Sequence, residues 1–235
     1  RRLSLLMRMA PPALDADGIV GYEQRSGVTL GAEQREAVRL AVSGAVTVIT
    51  GGPGTGKTTG IRCIIELLSR KGGVILCAPT GRAAKRMTEA TGVEAKTIHR
   101  LLEYGGEEGM FQRDQDNPID ADSVIVDEVS MVDTLLMRSL LRALKPGTRL
   151  VLVGDADQLP SVGAGNVLHD LIESRVVPVK RLTEIFRQAQ ESMIVVNAHR
   201  INTGAMPFAN GKDSDFFFER RSEERRVGKE CRSRW

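Results

Sequence analysis

Gly51, Gly56, Lys57 and Thr58 fall at the spacing G-x-x-x-x-G-K-[ST] inside the stretch VITGGPGTGKTTG, residues 48–60. Between a strand and a helix that pattern has a physical purpose. Glycines let successive backbone N–H groups converge on phosphate oxygens, and the helix N-terminus adds its positive end. Gly51, Gly52, Pro53, Gly54, Thr55, Gly56, Lys57, Thr58 and Thr59 are therefore expected to bind a nucleoside triphosphate. Lys57 would reach the β and γ phosphates and Thr58 would ligate Mg2+. The competing reading, a Gly-rich turn that merely starts a helix, leaves the full spacing to chance. Hydrolysis also needs a carboxylate for the metal and a base for the attacking water. The run VIVDE ends in Asp127, expected to hold Mg2+ through its water shell, and Glu128, expected to orient and deprotonate the nucleophile. Alone, two acids at a strand end are as readily solvated loop residues; a P-loop upstream favours the catalytic reading. The pair also favours an ATPase over a small-molecule kinase, whose acceptor hydroxyl needs no water-activating Glu.

These groups require rigid strand ends beneath them. AVTVIT (45–50) reads as a buried strand, and Ile61, Ile64, Ile65 and Leu68 then recur at helical spacing. GVILCAP is the next strand, followed by a helix through GRAAKRMTEATG that Gly92 is placed to end. SVIVDE forms a third strand. Val132, Leu135, Leu136, Leu140 and Leu144 stripe the following helix, which Pro146 and Gly147 end before RLVLVGD. Four strand-and-helix units predict an α/β fold, a mostly parallel sheet with helices on both faces. The stretch from Tyr104 to Asp120, rich in Gly, Asp and Asn, reads as an exposed hairpin or loop.

The 235 residues suffice for one sizeable α/β core or one domain plus part of another. No apolar run approaches the ~20 residues of a membrane span, so no membrane partner is expected and a cytoplasmic location is. Arg8 interrupts what would be the apolar segment of a leader at the N-terminus. Cys63 and Cys77 fall in a helix and a strand and Cys231 in a polar tail, which suits a reducing compartment without a disulfide framework. The net charge of +3 resides wholly in residues 221–235, with six basic and three acidic side chains. That tail resembles the in-frame translation of a common sequencing adapter and is read as an assembly artefact; the alternative is a solvated basic arm able to bind phosphates.

Further motifs follow in order: LGAEQREAV, LCAPTGRAAKRM, TIHRLL, LVGDADQLPSVGAG and RLTEIFRQAQESMIVVNAHRIN. With the P-loop and VIVDE, they resemble the RecD-like branch of superfamily 1 DNA helicases, the branch moving 5′ to 3′ on single strands. The resemblance runs from about Leu30 to Pro207 and implies a RecA-like motor domain. It implies that Gln34 recognises adenine, that Gln158 senses the γ-phosphate, and that Arg187 is an arginine finger, a device worth ~10³–10⁵ in rate in related chemistry. Without the resemblance, Gln34 and Arg187 read as surface residues. It further implies single-stranded DNA contacts at Thr80, Gly81, Arg82 and Lys85, and at Thr97 and His99; His99 could equally cap or pack, and His169 and His199 read as structural. With 4% aromatic residues, no base-stacking platform is evident, so tracking of the backbone is expected over base readout.

The expected organisation is a linker or end of an accessory domain over 1–29, the RecA-like motor domain over 30–180, the start of a second motor domain over 181–220, and the artefact over 221–235. Both ends read as cuts through a longer gene. The expected partners are ATP with Mg2+, single-stranded DNA and the missing second RecA-like domain of the same gene. The expected function is an ATP-dependent helicase motor in repair or recombination; alternatives are the helicase part of a conjugative relaxase, a RecD subunit of an exonuclease complex, or an ATP-binding switch without turnover.

Overall fold

The computed structural model describes residues 2–9, 11–12, 18–105, 110–186, 192–208 and 215–216. The chain divides into two units, Arg1–Phe186 and Arg187–Trp235. In the first, β1 (Val46–Gly51), β2 (Val74–Ala78), β3 (Ala95–Thr97), β6 (Ser123–Val126), β7 (Arg149–Gly154) and β8 (Val179–Leu182) form one sheet in the order β3-β2-β6-β7-β1-β8. Every neighbouring pair is parallel. A parallel strand cannot return by a tight hairpin, so each link crosses over a face and both faces must be covered.

The sequence meets that demand by alternation, because successive side chains of a strand point to opposite faces. Val46, Val48, Val124, Val126, Leu150 and Leu152 join one apolar layer. It is completed by α1 (Arg2–Arg8), α6 (Ile98–Leu101), α7 (Thr134–Ala143) and α8 (Val167–Ser174). Ile49, Leu76, Ile125, Val151, Val153 and Leu182 face the other layer, under α2 (Gly18–Ser26), α3 (Ala32–Ser43), α4 (Lys57–Ser69) and Met87 of α5 (Gly81–Thr91). The α/β class, the parallel sheet and its two helical layers expected from the sequence are all present.

Local chemistry sets the helix ends. The Thr80 hydroxyl accepts from Ala83 N–H at 3.2 Å and starts α5, and Gly92, at φ 75°, ends it. The Asp133 carboxylate accepts from Leu136 N–H at 2.8 Å and starts α7. Burial pushes the thiols of Cys63 and Cys77 up to about 12, so neither is a ready nucleophile. The Tyr104–Asp120 stretch holds a short antiparallel hairpin, β4 (Tyr104–Gly105) and β5 (Met110–Phe111).

In the second unit, α9 (Met193–Asn202) starts at Ser192, whose hydroxyl donates to Asp215 at 2.6 Å. Fully buried Asn197 accepts from Phe208 N–H at 2.7 Å, and the Arg200 guanidinium lies 3.9 Å from the centre of the Phe208 ring. These contacts fold the stretch after α9 back along the helix.

Candidate active site

Chain order and strand order disagree most at β1. From it the chain crosses over α4 to β2, leaving β6 and β7 to fill the gap, and such a reversal opens a crevice beyond the carboxyl ends of the strands. The loop Gly52–Gly56 stands there. Gly54 and Gly56 adopt φ 78° and 72°, a region glycine enters without steric cost. Gly51 is confined differently: a β-carbon there would stand 2.7 Å from the Leu182 carbonyl oxygen and 2.8 Å from Thr55 Oγ1. Thr55 donates its hydroxyl to the Gly52 carbonyl at 2.8 Å, bracing the loop from inside. Thr58, in the first turn of α4, is exposed.

Lys57 Nζ donates to the Gly51 carbonyl and to the Gly52 carbonyl, the latter at 3.0 Å. Burial lowers its pKa, while Asp155, Asp127 and Glu128 act the other way. One cation and three carboxylates thus share the carboxyl ends of β1, β6 and β7. Asp127 is fixed through its backbone, donating N–H to the Cys77 carbonyl at 2.9 Å beyond the end of β6. Its carboxylate accepts from Glu128 N–H at 2.9 Å. Burial nevertheless raises the Asp127 pKa, and the Glu128 N–H, Lys57 and Arg86 only partly offset it.

Glu128 has φ 54° and ψ 41°, a left-handed conformation that costs an L-residue about 1–2 kcal/mol. Its pKa is raised by burial and next by Asp127, against Arg86 and Lys57. Ser130, in the short 3-10 turn Val129–Met131 that follows, donates its hydroxyl to Gln158 Oε1 at 3.2 Å. Gln158 itself is exposed, on a loop tied back to the sheet. Buried Asp155 accepts from Asp157 N–H at 3.0 Å, and the Thr50 hydroxyl accepts from Ala156 N–H at 3.0 Å.

Gln34 is buried against the loop rather than lying free on α3. Its amide accepts from Gly31 N–H and donates to the Gly56 carbonyl, both at 2.9 Å. A carboxamide has two donors and two acceptor lone pairs, so one of each remains. Gln34→Ala leaves a half-buried N–H and carbonyl unpaired, so the nucleotide-free chain is expected to lose about 1–3 kcal/mol, read as a lower urea midpoint.

Thr80, Gly81, Arg82 and Lys85 open α5, with the Lys85 ammonium 3.9 Å from Glu89. Thr97 closes β3 opposite Ala78 of β2, so both threonines sit at the same end of adjacent strands. Its hydroxyl accepts from Arg100 N–H at 3.1 Å, and exposed His99 follows in α6. Arg187 lies outside the described residues.

Some residues at the site escaped the sequence reading. Arg86, an exposed helix arginine, acts electrostatically on both Asp127 and Glu128. Phe186 donates its N–H to the Gly54 carbonyl at 3.2 Å, and its ring packs over Gly31 and Gly56. Glu33 holds the segment leading there, accepting from Thr183 N–H at 2.6 Å, the Thr183 hydroxyl at 2.7 Å and Glu184 N–H at 3.0 Å. Position next to Gln34 and Arg187 was the available signal for Glu33 and Phe186; Arg86 and Ser130 carried none.

Among the described residues no cluster of three or more His, Cys, Asp or Glu forms a ready metal cage. One hydroxyl and one carboxylate at a phosphate loop fit a hard divalent ion that keeps its waters and phosphate oxygens, as Mg2+ does.

A family profile described as an AAA domain matches residues 34–164, more than half of the chain and the whole span from Gln34 past Gln158. The chain belongs to the AAA domain family. Over a span longer than that domain, it is 42% identical over 214 residues to the ATP-dependent RecD2 DNA helicase of Deinococcus radiodurans, covering 88% of this chain and 29% of that protein. It is 43% identical over 166 residues to the RecBCD enzyme subunit RecD of Mycolicibacterium smegmatis, covering 60% of this chain and 30% of the relative. The Pif1 helicase of Candida albicans superposes with a TM-score of 0.60 at 27% identity, over 77% of this chain and 45% of that one. The RecD-like resemblance carried by the motifs is thereby borne out, and so is the RecA-like sheet. The chain spans under a third of the length of these curated relatives. No helix among the described residues is long and apolar enough to cross a membrane.

Proposed function

We propose that this AAA domain is the ATP-hydrolysing motor unit of a DNA helicase that moves 5′ to 3′ along single-stranded DNA in repair or recombination. The observation that carries the reading is the meeting of Lys57, Asp127 and Glu128 beside a glycine loop, with the Thr80 and Thr97 ends of β2 and β3 along the same rim. In this reading Gly51–Thr59 hold the triphosphate of ATP, Thr58 and Asp127 hold Mg2+, and Gln34 with Phe186 bounds the adenine side. The bound Mg2+ supplies charge neutralisation on the phosphates. Lys57 withdraws from the Gly51 and Gly52 carbonyls to the phosphate oxygens. Glu128, a base strengthened by its raised pKa, takes the proton of the attacking water. Gln158 reports the state of the γ-phosphate through Ser130, and Arg187 is the finger that neutralises transition-state charge.

Thr80, Gly81, Arg82, Lys85, Thr97 and His99 contact the strand, chiefly at its phosphates. Translocation takes two such domains closing alternately on nucleotide, so the second RecA-like domain of the same gene is the required partner. The present chain is expected to bind ATP and Mg2+ weakly, to hydrolyse slowly and to unwind nothing. The identity to RecD supports a second setting for the same motor, as a subunit of a nuclease complex in a cytoplasmic assembly. The test is ATP turnover by the gene expressed in full, with and without oligonucleotide, together with unwinding of 5′-tailed and 3′-tailed duplexes. Stimulation by single strands and unwinding of the 5′-tailed substrate alone are expected. Turnover indifferent to DNA would favour a nucleotide switch instead.

A further inference from the structure

An aromatic content of 4% predicts no surface on which a nucleobase could stack, yet three rings separated in the chain meet at one point. The His99 ring centre lies 5.7 Å from that of Tyr104 and 5.6 Å from that of Phe111, and Tyr104 and Phe111 are 5.1 Å apart. The three interplanar angles are 87°, 47° and 60°, so no pair spends its faces on a parallel stack. Phe111 is half-buried against the main core, whereas Tyr104 keeps 55% of its surface in solvent.

A ladder as short as β4 with β5 is marginal by itself, and other contacts hold it. The Leu102 carbonyl accepts N–H from both Gln112 and Arg113 at 3.1 Å, and Arg113 pairs with Glu103 at 2.7 Å. An exposed aromatic ring is thus presented on a fixed base. Two exposed cations flank His99 in the chain, Lys96 on β3 and Arg100 on α6, and neither has an acidic partner within 4.0 Å among the described residues. Glu103, which precedes Tyr104 in the chain, is engaged by Arg113. An exposed ring packed on His99, with exposed cations either side of that histidine in the chain, matches single-stranded nucleic acid, whose bases stack while its phosphates are neutralised. A protein partner would call for a wider apolar surface than one ring beside Met110.

We infer that Tyr104, steadied by His99 and Phe111, is a stacking site for one unpaired nucleobase, so that this unit grips bases as well as the phosphodiester backbone. The inference rests on the single-stranded DNA reading proposed above and adds the kind of contact.

The test measures fluorescence anisotropy of the 235-residue chain at fixed salt with labelled oligothymidylate, and with a strand of equal length made of abasic sugar-phosphate units. The wild-type chain is expected to prefer the thymidylate by roughly tenfold. Tyr104→Ala should lose that preference while keeping its affinity for the abasic strand, and Tyr104→Trp should keep it. Circular dichroism confirms that each variant is folded, and the comparison of strands on the wild-type chain does not depend on any variant. Equal binding of both strands by the wild-type chain, or an undiminished preference in Tyr104→Ala, overturns the stacking site and leaves the DNA reading standing. Failure of the wild-type chain to bind either strand also overturns the stacking site, whereas the DNA reading falls only if turnover by the gene expressed in full is indifferent to oligonucleotide.

Discussion

Lys57→Ala is expected to lower kcat/KM for ATP by about 10²–10³-fold, because it removes a positioned cation from the place where phosphate charge develops. The effect has a second source on the protein side. Lys57 opposes the upward pull that burial exerts on the carboxyls of Asp127 and Glu128, so its loss raises both further. The variant should therefore show weaker nucleotide binding in the absence of turnover and an acid limb of residual hydrolysis moved to higher pH. Lys57→Met, which keeps the apolar stem, distinguishes loss of charge from loss of packing. Fluorescent-nucleotide titration and steady-state ATPase assays measure the two effects separately. Unchanged nucleotide affinity in both variants would count against the phosphate role of this loop.

Glu128→Gln is expected to reduce turnover by about 10²–10⁴-fold while nucleotide binding survives, since the amide keeps the shape and loses the base. The pH dependence has a definite sign. A carboxyl with a folded-state pKa raised above its ordinary 4.5 holds its proton more tightly in the folded chain than in the unfolded one. It opposes folding above that raised value, and the opposition disappears as pH falls through it. Glu128→Gln should consequently melt higher than the wild-type chain at neutral pH, with the difference vanishing in acid. The cost of the left-handed backbone at Glu128 remains in that variant; Glu128→Gly relieves that cost as well and should gain about 1 kcal/mol more. A variant that hydrolyses ATP at the wild-type rate would remove Glu128 from the mechanism.

Much of this was legible because the chemistry is local in the chain. Gly51 to Thr59 are contiguous, and Asp127 and Glu128 end a run of aliphatic residues. The strands β1, β2, β6 and β7 are the apolar core of the sheet and announce themselves by composition. The outermost strands β3, Ala-Lys-Thr, and β8, Val-Lys-Arg-Leu, do not. Each has a neighbour on one side only and tolerates polar residues, which makes it look like loop. Arg86 was illegible for a related reason: a charged residue on a helix reads as a solvated face until the fold brings the acids beside it. The ring cluster was hidden by spacing, because His99, Tyr104 and Phe111 follow neither a helical nor a strand period. Gln34 was noticed, but its engagement with Gly31 and Gly56 follows only from the approach of α3 to the phosphate loop.

The place of β1 in the sheet also governs when the nucleotide loop can come into being. Although first of the six strands to leave the ribosome, β1 ends up flanked by β7 and β8, the last two. At ordinary translation rates the strand carrying the glycine loop waits on the order of ten seconds for its neighbours. Until they emerge, its backbone donors and acceptors on both flanks are unclaimed, and Gly51 lacks the Leu182 carbonyl that confines it. Nascent chains halted before Val179 would be prone to strand-mediated clumping and unable to trap nucleotide, so competence to burn fuel arrives only with the finished sheet.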